Sequence, residues 1–154
     1  MGVFQRLANP FLLRALRTGH PTRLGTSLMA ITVTGVKTGR DFTFPVQFVR
    51  DGDTIWVLPG HPESKTWWRN LRSGAPVRLH LEGVDVGGTA VAISGGTDPE
   101  EAVRGLRAYL RRTPAAARAV GVAADASDEQ LRAAAEHAVV VRIELQAAQA
   151  PPAL

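Results

Sequence analysis

The sequence predicts a mainly antiparallel α+β fold: a small, partly open β-barrel with an N-terminal helical arm, one helix inserted among the strands and further helices near the C-terminus. Three observations lead there. Apolar and β-branched residues recur with a period of two in 28–34, 43–49, 54–58, 77–81, 84–93 and 139–145. Between them lies tight-turn chemistry, above all Asp51-Gly52-Asp53 and Glu82-Gly83, where glycine supplies the positive φ of a short hairpin. Neither a G-x-G-x-x-G opening a helix nor a Walker P-loop is present, which argues against a doubly wound parallel sheet.

Taken in order, Val3, Phe4, Leu7 and Ala8 have helical spacing, and Asn9-Pro10 reads as an N-cap followed by proline at the first helical position. A second helix runs to about Thr18, with Phe11, Leu12, Leu13 and Leu16 on one side and Arg14 and Arg17 on the other. This basic amphipathic arm suits packing on its own domain or a partner subunit, and peripheral contact with a membrane surface through residues 3–18 is the other reading. After the first three strands a helix is expected over 64–72, stopped at Ser73-Gly74 by a left-handed glycine. Asp98-Pro99 opens a helix reaching about Arg112. Thr113-Pro114 begins a short one ending at Gly121, and Ser127 caps a third to about His137. Residues 1–26 form the arm, 27–145 the barrel domain, and 146–154, rich in alanine and proline, a tail.

The 16.5 kDa chain suffices for one packed core. It has no cysteine, and its four histidines show no metal-ligand spacing, so no metal site is expected. No apolar run reaches the length of a membrane span and no secretory signal pattern opens the chain, so a cytoplasmic location is expected. The net charge of +4 suits anionic small molecules, and the spread of basic residues among acidic ones gives no stripe for nucleic acid.

Two segments carry chemistry. Only two of the 18 basic residues are lysines, and each lies in one of them. In Gly35-Val36-Lys37-Thr38-Gly39-Arg40 the glycines loosen the backbone so that amide N–H groups can converge on an anion, while Lys37, Arg40 and the Thr38 hydroxyl add charge and a donor. In Leu58–Leu71 a strand breaks at Pro59-Gly60. The helix expected after it would aim its positive end at an anion, with Lys65 in its first turn. Trp67 and Trp68 differ by about 100° around a helix, so one is expected in the core and the other on a groove. Two residues are candidates for proton chemistry: His61, between Gly60 and Pro62, and Tyr109, the only tyrosine.

The motif Thr34-Gly35-Val36-Lys37-Thr38-Gly39, Pro45 six residues later, the Asp51-Gly52-Asp53 hairpin and Trp67-Trp68-Arg69-Asn70-Leu71 together resemble the deazaflavin-dependent nitroreductase family, whose members have a split, FMN-binding-like β-barrel. The resemblance covers residues 9–93 well and the remainder weakly. It implies coenzyme F420 as cofactor, with FMN as the alternative ring. Its phosphate and polar tail would be held by Gly35, Lys37, Thr38, Gly39 and Arg40, with Pro45, Gly60, Lys65, Trp67, Trp68 and Asn70 completing the site. Hydride would pass to a quinone, an enone or a nitroaromatic, and a homodimer is implied because related barrels pair. The chain departs from the pattern at Val36 and Phe42, where many members have arginine, and at Pro59-Gly60-His61-Pro62, which replaces a Ser-x-Gly-Gly loop. These losses weaken phosphate capture and keep open a non-redox alternative, a groove for a lipid or tetrapyrrole.

Overall fold

Six antiparallel strands close into one barrel in the order β1-β2-β3-β6-β5-β4 in this computed structural model, which describes residues 27–60 and 62–146. The expected arm over residues 1–26, His61 and residues 147–154 of the tail lie outside the described residues. The strands are β1 (Ser27–Thr34), β2 (Asp41–Asp51), β3 (Thr54–Val57), β4 (Ala75–Leu81), β5 (Val84–Ser94) and β6 (Val139–Leu145). The helices are α1 (Pro99–Arg112), α2 (Ala117–Val120) and α3 (Asp128–Ala135), with 3-10 turns at Trp67–Leu71 and Pro114–Ala116. The barrel was expected to be partly open. It is closed, and the closing seam between β1 and β4 consists of Ala30–His80, Ile31–Leu79 and Thr32–Arg78.

The turns follow their sequence chemistry. Gly52 has φ +64° in the β2–β3 hairpin, and Glu82 and Gly83 both have positive φ, which matches the right-handed twist of the β4–β5 strands. Asp98 accepts a hydrogen bond from the Glu101 amide at the start of α1, and Ser127 with Gln130 forms a reciprocal cap on α3. The Glu101 carboxylate accepts from the Arg142 guanidinium at 2.6 Å and ties α1 to β6.

β2 pairs with β1 from Asp41 to Phe48, yet with β3 only through Val49–Trp56, Arg50–Ile55 and Asp51–Thr54. Between Asp41 and Phe48, β1 is therefore its only hydrogen-bonded neighbour among the described residues. Pro45 lies in that stretch, and a residue without an N–H is tolerated where a strand edge is free. The barrel wall splits there.

Side-chain alternation divides the apolar residues into two cores. Met29, Ile31, Val33, Ile55, Val57, Leu79, Val141 and Ile143 fill the barrel, and Trp68 and Leu71 of the 3-10 turn join them. Trp56, Ile93 and Val140 point outward against Leu106, Tyr109 and Leu110 of α1 and Leu131 of α3. β6 is buried on both faces, which explains its unbroken Val139-Val140-Val141 run. No helix among the described residues is long and apolar enough to cross a membrane.

The close seating of α1 depends on Gly105. A Cβ there would lie 2.6 Å from Trp56 Cζ3 and 3.2 Å from Val140 Cγ2, so the helix meets the indole where only glycine fits. Gly105→Ala is expected to lower stability by about 1–2 kcal/mol through overpacking, although alanine is the better helix former by up to about 1 kcal/mol. The measurement is the urea midpoint at unchanged m-value; a midpoint equal to or above the parent's would contradict the tight seating.

Candidate functional site

The free edge of β2 is the floor of a groove made of four adjoining pockets. The first, of about 310 Å³, lies between the Gly35–Thr38 turn and the 3-10 turn, with Phe42, Thr66, Arg69 and Asn70 on its wall. Phe42, Thr66 and Asn70 also line the second, of about 470 Å³, whose other walls include Phe44, Pro45, Val46, Lys65 and Trp67. Pro45, Val46, Lys65 and Trp67 continue into a third of about 210 Å³, closed by Pro59, Gly60 and Tyr109. Gln47, Leu58, Pro59, Gly60 and Tyr109 lead on to the last, of about 550 Å³, under the C-terminal helices. Lys37 and Lys65 thus line neighbouring compartments of one cleft.

At the first pocket the turn is held by its own backbone. Gly35 N–H donates to Arg40 O and Gly39 N–H to Gly35 O, both at 2.8 Å, with Gly39 at φ +70°. Arg40 N–H donates to Thr38 Oγ1, and Val36 N–H donates to Asn70 Oδ1 at 3.0 Å. Asn70 Nδ2 in turn donates to Trp67 O, so one side chain clamps the turn to the 3-10 segment. Among the described residues, the Lys37 and Thr38 amides have no acceptor, and no carboxylate pairs with Lys37, Arg40, Lys65 or Arg69. Among the described residues, then, the pocket is lined by two residues with unpartnered amides and by the cations Lys37 and Arg69 with no carboxylate paired to them, an arrangement that favours an anionic guest.

The second pocket has aromatic walls. Phe44 and Trp67 meet edge to face at 5.1 Å, and Phe42 stays 37% exposed above them. Exposed aromatic faces beside an anion site fit a molecule with a planar ring and a charged tail. In the third pocket Tyr109 is only 4% exposed, and among the described residues its hydroxyl has no hydrogen-bond partner. Burial pushes its phenol up to about 12, so it stays protonated through the physiological range.

Of the residues singled out in the sequence, Gly35, Lys37, Thr38, Pro45, Gly60, Lys65, Trp67, Asn70 and Tyr109 line this groove. Gly39 and Arg40 only shape the turn. Trp68 does not line it: it is 7% exposed in the barrel core, its indole N–H bonded to Pro62 O and its ring beneath Arg69 and Arg72. The expected helix over 64–72 shrinks to five 3-10 residues, because Trp68 and Leu71 alone supply a buried stripe, at spacing i, i+3. Lys65 precedes that segment, so no helix end lies behind it, and its charge acts through its own ammonium group. Arg69, Thr66 and Gln47 were not anticipated. Arg69 was readable only as part of a helix, without the facing turn that gives it a role.

Comparisons with known proteins give the family and the fold. Residues 13–123 match the family described as F420H(2)-dependent quinone reductase. No curated protein matches the chain. Among solved structures, a domain-swapped dimer superposes with TM-score 0.55 at 17% identity, covering 91% of this chain and 98% of its own. An F420-H2 dependent reductase superposes with TM-score 0.53 at 18% identity, covering 81% and 98%. These two share the barrel fold. With the family match extending over most of its length, this chain belongs to the F420H(2)-dependent quinone reductase family and is an oxidoreductase whose cofactor is F420.

Proposed function

We propose that the groove holds F420 with its phosphate end in the first pocket and its ring over Phe44, Pro45 and Trp67, leaving the acceptor to enter from the Tyr109 side. The observation that carries this placement is the gradient along one cleft, from unneutralised cations and free amides to aromatic walls to a buried phenol. Lys37, Arg69 and the Thr38 amide bind and orient the acidic end. Lys65 stands where ring and tail meet, and Trp67 with Phe44 keeps water off the ring face.

When bound, reduced F420 supplies the hydride. The acceptor, a quinone by family, would take it with one proton from solvent and leave as the hydroquinone. Tyr109 donates its O–H to the carbonyl oxygen on which negative charge grows, and its lack of another partner leaves that donor available. Because its phenol does not ionise near neutrality, the donor persists across the working pH range. A homodimer is also proposed, supported by the domain-swapped dimer of similar fold.

Four measurements test these assignments. Titration with oxidised F420, followed by tryptophan quenching, should show saturable binding that Lys37→Ala and Lys65→Ala each weaken about five-fold, the equivalent of about 1 kcal/mol for an exposed charge. Asn70→Ala should weaken it further by freeing the turn, and unchanged affinity in all three variants would remove the placement. Tyr109→Phe should lower quinone turnover about 100-fold at unchanged cofactor affinity. The absorbance of the only tyrosine should titrate near 12 in the folded protein and near 10 in denaturant. Since the folded pKa is raised, stability is complete below pH 10 and falls by about 2–3 kcal/mol as pH rises towards 12; a folded-state midpoint near 10 contradicts the burial. Sedimentation of the purified protein should give twice 16.5 kDa, and a monomer mass removes the dimer.

A further inference from the structure

Beyond Tyr109 the groove opens into its largest compartment, about 550 Å³, which cofactor binding as placed above leaves empty. Its far wall is largely alanine, with Val120, His137 and Val139 beside it. Ala115, Ala116 and Ala119 come from the Pro114–Ala116 turn and α2, and Ala134 and Ala138 from α3 and the residues that follow it. All five line the compartment, although they come from separate short segments. Small side chains alone would make only a gap in the packing. Here Tyr109, a residue only 4% exposed whose hydroxyl has no partner among the described residues, lines the same space, and Leu58, Pro59 and Gly60 are shared between it and the adjoining compartment.

We propose that this compartment receives the apolar substituent of the quinone acceptor and that Ala115, Ala116 and Ala119 set the bulk it admits. The assignment rests on the placement of F420 and quinone given above. A carbonyl held by Tyr109 directs whatever is attached to the far side of the quinone ring towards the alanine wall, and apolar surface buried there contributes to binding in proportion to its area. Each methyl is all that separates this wall from a bulky one. Ala115 and Ala119 are exposed to the pocket and not packed in the core, so larger residues there narrow the space without straining the fold.

The test is steady-state reduction by the F420-loaded enzyme of two acceptors, unsubstituted benzoquinone and a naphthoquinone bearing a hexyl chain. Ala119→Phe and, separately, Ala115→Leu should lower kcat/KM for the hexyl compound at least about tenfold while leaving benzoquinone within about twofold and the F420 dissociation constant unchanged. A parallel fall for both acceptors, or no fall for either, overturns the assignment while the cofactor placement stands. No turnover of either acceptor by the wild-type protein, or no F420 binding, overturns both. Circular dichroism and the urea midpoint of each variant establish that a selective loss is not a folding defect.

Discussion

The parting of β2 from β3 is the constraint on which the rest of the molecule depends. Three residue pairs hold the two strands together next to the hairpin, and beyond them β2 continues with β1 as its sole hydrogen-bonded neighbour among the described residues. An unpaired strand edge in water invites association with other strands, and Pro45 blunts it by removing a donor. Lining the edge with Phe42, Phe44 and Trp67 makes it a surface for a flat molecule. Closure of the remaining seams keeps that edge rigid, so the groove is preformed and a ligand need not order it.

Electrostatics complement this geometry because the ion pairs of the barrel lie elsewhere. Arg50 pairs with Glu82, Arg107 with Asp128 and Arg142 with Glu101, all away from the first pocket. Arginine suits those positions, since its planar fork matches carboxylates. At the groove the cations include both lysines of the chain, compact charges on flexible stems, and among the described residues no carboxylate is paired with them. Asn70 joins the two halves of this arrangement. Without its bond to the Val36 amide the turn would have only its internal hydrogen bonds to fix it against the 3-10 segment.

Local chemistry in the sequence was enough for the strands and hairpins. Asp51-Gly52, Glu82-Gly83 and the Asp98 and Ser127 caps each specify backbone geometry within four residues, and all appear as expected. The two tryptophans separate as their angular offset requires, Trp68 into the core and Trp67 onto the groove. The length of the inserted helix was not legible, because Glu63–Thr66 has polar residues compatible with a helix and nothing apolar to anchor one. Nor was the alanine wall, because only the fold brings alanines from 115–119 and 134–138 to line one compartment with Tyr109. Arg69 escaped for a similar reason, since its role comes from a turn more than thirty residues earlier in the chain.

The position of Tyr109 connects fold stability to the groove. It lies one helical turn after Gly105, so the depth at which α1 settles on Trp56 also fixes where the phenol stands. With a side chain at 105 the helix would ride outward by the overlap of a methyl with the indole, carrying Tyr109 away from Leu58 and Pro59. The groove would widen between its ring compartment and its alanine compartment, where the acceptor's carbonyl must meet a donor. Hydrogen bonds weaken steeply once the donor leaves its narrow range of distance, so a shift of about an ångström is enough to lose this one. The same glycine that permits close packing therefore places the only buried phenol of the chain at the junction between cofactor and acceptor.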